Sequence, residues 1–121
     1  MPFDAETLEL LARTKEVRIE TFRPGGRVHS AIIWIVVDGD DAFVRSWLGE
    51  RGRWYREARE NPEVVILVGE RRIAATAVSA TDPESVRRCS EGYEAKYPKS
   101  KSTPLMLADD ILGTTLRLEP R

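Results

Sequence analysis

Between Val44 and Gly69 the chain reads VRSWLGERGRWYREARENPEVVILVG. A strand that ends in Arg45-Ser46-Trp47 runs into a loop holding Gly49, Arg51, Gly52 and Arg53. A short helix then opens with Trp54-Tyr55. Joining two strands requires turn residues, not arginines and tryptophans at this density. The guanidinium fork presents two N–H groups to two oxygens in one plane, which suits phosphate. A helix opening near Gly52-Arg53 also leaves its first backbone N–H groups free, and its dipole favours an anion there. The hydroxyls of Ser46 and Ser30 add donors, and Trp34, Trp47 and Trp54 offer flat apolar faces for a ring system. The profile is a phosphate attached to a planar heterocycle. A plainer reading stands beside it. Trp54 and Tyr55 would pin a short helix to the domain, while Arg51, Arg53 and Arg56 would be solvated or paired with Glu50, Glu57 and Glu60.

Other site chemistries find less support. There is one histidine, His29, and one cysteine, Cys89, with no second ligand at metal-binding spacing. No metal site and no catalytic side chain is predicted. His29 and Ser30 are neighbours on an expected strand, so they point to opposite faces and cannot form a nucleophile–base pair. Neither a GxxxxGK[ST] loop nor a GxGxxG fingerprint occurs. The carboxylates of DGDD (38–41) and ADD (108–110) lack the spacing of a calcium loop and read as a solvated turn and a cap. Cys89 reads as a small apolar filler on a helix.

These residues must be positioned by the elements around them. Asp4 is a suitable N-cap for a helix from Ala5 to about Thr14. EVRIETF (16–22) alternates as a half-buried strand, and RPGGR is a turn in which Pro24 fixes φ and Gly25-Gly26 allow positive φ. VHSAIIWIVV (28–37) is β-branched and almost wholly apolar, which predicts a central strand covered on both faces. After DGDD, AFVRSW (42–47) completes a three-stranded meander. The helix after Gly52 ends at Asn61, because the residue before Pro62 avoids the α region. EVVILVG and RRIAATAVSAT are two more strands. Asp82-Pro83 starts a helix that turns Val86, Cys89, Tyr93 and Ala95 inward, with Gly92 weakening it. PKSKSTPLMLADD (98–110) is expected as a loop, and GTTLRLEP as a last strand with Thr114, Leu116 and Leu118 on one side.

The order is α-β-β-β-α-β-β-α-β. The fold class is mainly β with rim helices: about six strands in a small closed or half-closed barrel, with residues 1–121 as a single domain. A chain of 121 residues supports one core without metal or disulfide. Nineteen Lys and Arg nearly cancel twenty Asp and Glu, so no global positive field recruits nucleic acid and any anion must be gripped locally. A single cysteine excludes an intrachain disulfide and fits a reducing cytoplasm, the expected location. The start lacks a signal-peptide pattern, and no apolar run reaches the length of a membrane span.

Taken together, IIWIVVDGDDAFVRS…G…RWYREARENPEVVILVG resembles the split-barrel flavin-binding superfamily of pyridoxamine 5′-phosphate oxidase, nearest the deazaflavin-dependent nitroreductase branch. EVRIETFRPGGR…IWIVVDG…VRS…GRWYR is similar to a small uncharacterised bacterial family within it. The match runs from Val17 to about Thr81. It implies that Ser46, Gly49, Arg51 and Arg53 line a cofactor phosphate, approached from the neighbouring strand by Ser30 and Ala31. The backbone around Ile33 and Trp34 would border the ring; Trp47 and Trp54 join the expected site from their residue types. Trp47 stands where many relatives carry a lysine, and Ile32 where many carry a proline. The resemblance implies FMN or a deazaflavin as cofactor, a small organic substrate, a homodimer and oxidoreductase activity. The alternatives are a non-catalytic carrier or sensor of flavin, haem or another planar ligand, and an interaction module whose tryptophans meet a protein partner.

Overall fold

The structure is a computed structural model that describes residues 2–121. Helix α1 (Ala5–Arg13) opens where Asp4 accepts the Thr7 N–H at 2.7 Å, and it buries Leu11 completely. Strand β1 (Val17–Arg23) turns Val17, Ile19 and Thr21 inward, as its alternation requires. The turn at Pro24–Gly26 uses φ of 82° and 76° at Gly25 and Gly26, which only glycine adopts without strain.

The apolar run 28–37 departs from expectation. It is two strands, β2 (Arg27–Ile33) and β3 (Ile35–Asp38), broken at Trp34. With β4 (Asp41–Val44), β5 (Glu63–Val68), β6 (Arg71–Ser79) and β7 (Leu116–Pro120), the chain forms one antiparallel sheet of seven strands. Its order is β2-β1-β5-β6-β7-β4-β3. The run is therefore no central strand and the first three strands are no meander: β2 and β3 are the opposite edges. Val28 and Ile32 on the outer face of β2 are more than half exposed. β-Branched composition signals a strand but not its neighbours, which are chosen by pairing elsewhere in the chain.

That edge assignment makes the barrel. Ile33 and Ile35 are two residues apart yet belong to strands at opposite ends of the sheet, so the sheet must curl until its edges approach at Trp34. The result is a split barrel with helices at its rim. Inside the curl pack Ile19, Ile35, Val44, Val64, Ile66 and Leu116, all 0–1% exposed. Helix α2 (Arg53–Glu60) adds Trp54, Tyr55 and Ala58 to this interior.

A second apolar layer lies outside the barrel, where α3 (Pro83–Lys96) covers Val36 and Phe43 with Cys89 and Tyr93. Asp82 caps α3 by accepting the Ser85 N–H at 3.0 Å. Gly92 has a use here: a Cβ would sit 3.0 Å from Val36 Cβ, so glycine lets α3 approach β3 closely. Ala95, expected inward, is exposed; Lys96 reaches in instead and donates to the carbonyls of Leu11 and Ile35. The expected loop 98–110 contains a short helix, α4 (Thr103–Met106). A 3₁₀ segment over Asp109–Thr114 delays the last strand to Leu116. Asp38 and Asp41 of the expected solvated turn both accept from Arg88. Among the described residues, no helix is long and apolar enough to cross a membrane.

Candidate functional site

Trp34 sits in the break between the two edge strands. Its indole stacks on Tyr97, with centroids 4.0 Å apart and planes at 11°. Trp54 enters from the first turn of α2 and is held edge-on by Tyr55 at 6.2 Å. Trp47 follows β4 and is 58% exposed. These three indoles, with Ile32, Ile33 and Arg45, line one cleft of about 250 Å³. Glu16, Ser102 and Met106 complete its wall. One strand break, one strand end and one helix start thus bring together side chains far apart in sequence.

The arginines expected to join them do not enter this cleft. Arg53 Nε lies 3.4 Å from Glu57 Oε2, across a separate cleft of about 180 Å³ lined by Arg23, Arg53, Arg56, Glu57 and Glu60. Arg51 borders a third hollow with Leu48, Gly49, Leu105, Ile111 and the carboxylates Glu50 and Asp110, and Trp47 forms the wall this hollow shares with the indole cleft. Ser46 is fully buried. Its hydroxyl donates to the Gly49 carbonyl at 2.7 Å, and its N–H donates to Thr114 Oγ1 at 3.0 Å. That hydroxyl therefore shapes the loop from inside. Gly49 takes φ of 66°, and Gly52 lies against Ser46 with no room for a Cβ. On β2, Ser30 is exposed opposite Glu20 and Ala31 is half-buried opposite Ile19, so neither lines the indole cleft.

Two polar centres stand out beyond the expected site, one of them built on Glu57, which the plainer reading had only as an arginine partner. Glu57, on the inner side of α2, accepts from Thr21 Oγ1 at 2.8 Å and pairs with His29 Nδ1 at 2.7 Å and Arg23 Nε at 3.2 Å. Burial alone would raise its carboxyl; the hydrogen bonds from Thr21, His29 and Arg53 outweigh burial and hold it below its ordinary value. The lone histidine is thus committed on one nitrogen. The other centre is Arg45, 1% exposed and lining the indole cleft. Its position was legible in part: Asp41 and Phe43 on β4, and Arg45 just past its end, alternate onto the side that α3 covers. Burial also pushes the Cys89 thiol up to about 12, so it is inert at neutral pH.

The bacterial family described as "Uncharacterized protein conserved in bacteria (DUF2255)" matches residues 7–118. No curated protein matches the chain. Among solved structures, the haem storage protein HutZ of Vibrio cholerae superposes with a TM-score of 0.73 at 18% identity, covering 100% of this chain and 92% of that one. A candidate pyridoxamine 5′-phosphate oxidase from Listeria innocua gives 0.67 at 18% identity, covering 96% and 91%. A NimC/NimA family protein from Clostridium acetobutylicum gives 0.66 at 14% identity, covering 95% and 77%. At these identities the likeness establishes the fold, a split barrel of the pyridoxamine 5′-phosphate oxidase type.

Proposed function

The chain belongs to the uncharacterized bacterial family DUF2255, and from that premise we propose that its indole cleft holds a planar aromatic cofactor, FMN or a deazaflavin. The protein would act as an oxidoreductase on a small or planar organic substrate. The observation that carries this is the convergence of Trp34, Trp47 and Trp54 with Ile32 and Ile33 on one cleft. Such a cofactor supplies hydride acceptance and donation; the protein supplies position and electrostatics.

Each residue has a distinct task in this reading. Trp34, fixed by Tyr97, presents a rigid ring face. Trp54, anchored in the barrel interior, forms the inner wall. Trp47 shares its indole between the ring cleft and the hollow with Arg51, so a charged tail would cross it to reach that guanidinium. Arg53 shares Glu57 with Arg23 and His29, whereas no carboxylate among the described residues lies within 4 Å of Arg51, so Arg51 is the freer phosphate partner of the two.

The cleft is also smaller than the roughly 300–1,000 Å³ of a complete small-molecule site. Ile32, Trp47, Leu48 and Leu105 are each about half exposed around the cleft and the adjoining hollow. A second copy of the chain covering these residues would complete the site, so a homodimer is part of the proposal. A cytoplasmic setting, with no nucleic-acid or membrane partner, belongs to it as well.

The likeness to a haem storage protein supports a second reading, carriage of a planar ligand without turnover. Haem bound through this chain's own nitrogen is the less favoured form. No histidine lines the cleft among the described residues, and His29 is held by Glu57. The deciding experiment is an absorbance spectrum of protein purified from its own host, with mass spectrometry of the released chromophore. A flavin or deazaflavin that turns over with an acceptor supports the first reading, and a bound chromophore without turnover supports the second. Colourless protein showing no thermal shift with FMN, a deazaflavin or haem overturns both.

A further inference from the structure

Arg45 is a buried cation with no carboxylate partner among the described residues. Its Nε donates to Thr115 Oγ1 at 2.9 Å, its Nη1 to Ser90 Oγ at 3.0 Å and the Met106 carbonyl at 2.9 Å, and its Nη2 to the Val86 carbonyl at 3.2 Å. Every one of these acceptors is neutral. A guanidinium has five N–H groups, so one Nη2 hydrogen has no acceptor among the described residues. No carboxylate among them lies within 4 Å of Arg45, whereas Arg88 has two and Arg72 has one. The Tyr93 ring, 5.7 Å from the guanidinium carbon, offsets only part of the charge. Glu16 also faces the cleft, but it is solvent-exposed.

Buried cations are normally paired, because leaving water without a counter-charge is costly. A residue that only tied β4 to α3, α4 and the segment before β7 would not need to be charged. The one feature that distinguishes Arg45's surroundings from ordinary core is that it lines the indole cleft. A negative group entering between the tryptophans would meet a guanidinium that is itself shielded from water, where charge-assisted hydrogen bonds are strong.

We propose that Arg45 makes the cleft selective for planar aromatic anions, ligands whose ring system carries a carboxylate, sulfonate or ring-borne negative charge on the edge that enters first. The inference rests on the planar-ligand reading of the cleft and goes further by fixing the charge of the buried edge. That charge is separate from any tail held near Arg51.

Two fluorescent probes test it without knowledge of the natural ligand: anilinonaphthalene sulfonate, and phenylnaphthylamine, the same ring system lacking the sulfonate. Binding is read by energy transfer from the indoles. Wild-type protein should bind the sulfonate probe roughly tenfold or more tightly than the neutral one. Arg45→Gln, which keeps hydrogen-bonding groups but loses the charge, should abolish that preference and retain the neutral probe, while Arg45→Lys should keep much of it. Equal affinities in wild type, or a preference that survives in folded Arg45→Gln, overturn the charge selection and leave the planar-ring reading intact. If neither probe receives energy from the indoles of the wild type, both ideas fall. If Arg45→Gln does not fold, Arg51→Ala serves in its place: a sulfonate preference that survives it supports Arg45, and one that is lost with it overturns the assignment.

Discussion

Trp34 and Tyr97 lie face to face, 4.0 Å between centroids and 11° from parallel, although sixty-three positions separate them in the chain. Tyr97 is itself fixed, its hydroxyl donating to the Lys15 carbonyl at 2.6 Å. The pair makes a stacking platform whose orientation is set before any ligand arrives. Removing it by Trp34→Ala should weaken binding of a planar cofactor by about 1–3 kcal/mol, the scale of losing one well-packed aromatic face. Tyr97→Leu should weaken it less, by loosening Trp34. Isothermal titration with FMN would rank the two; equal binding by wild type and Trp34→Ala would remove Trp34 from the site.

Arg51 and Arg53 should separate by function. Arg51 adjoins Trp47 and Arg53 is tied to Glu57, so Arg51→Ala should cost more affinity for FMN than Arg53→Ala. The Arg51 loss should be about 1–3 kcal/mol for FMN and near zero for riboflavin, which has no phosphate. A larger effect of Arg53 would move the tail to the other side of α2.

Glu57 should mark the acid limb of stability. Its carboxyl is held below the ordinary value of 4.5, so the folded form favours its charge. That contribution is fully present above the unfolded value and is lost as pH falls through the folded one. Glu57→Gln should therefore destabilise the protein by about 1–3 kcal/mol at pH 7. The gap to wild type should close below about pH 4.5. Urea unfolding of both proteins across that range measures it, and a gap independent of pH would contradict the assignment.

Lys96 should act with the same sign in the alkaline range. Burial lowers its ammonium from 10.5 to about 8, so between these values the unfolded chain binds the extra proton. Stability contributed by this group therefore rises as pH increases from about 8 towards 10.5. Lys96→Met should remove that rise, as seen in melting temperatures taken over the same interval.

Gly52→Ala tests the loop that separates the clefts. The new Cβ would displace the Ser46 hydroxyl, which would lose the Gly49 carbonyl inside the protein. A loss of about 1–3 kcal/mol is expected from the combined strain and unpaired group. Ser46→Ala in the same background should recover part of it.

What the sequence settled by itself was local. Asp4, Asp82-Pro83 and Asn61-Pro62 mark helix ends, Pro24-Gly25-Gly26 marks a turn, and alternation marks the inner face of β1, because each signal acts within a few residues. The tryptophans of the cleft were likewise visible as residue types suited to a ring. Tertiary structure alone decided what lay between them. Pairing with β1 and β4 sent the two halves of one apolar run to opposite edges of the sheet, and so placed Trp34 at the seam. Arg53 and Trp54 are adjacent in sequence, but successive residues on a helix diverge by about 100°, and they face different clefts. Arg45 became the cation of the indole cleft only because α3 and α4 closed over one face of β4. Such placements depend on contacts between segments distant in the chain, which no local pattern of residues encodes.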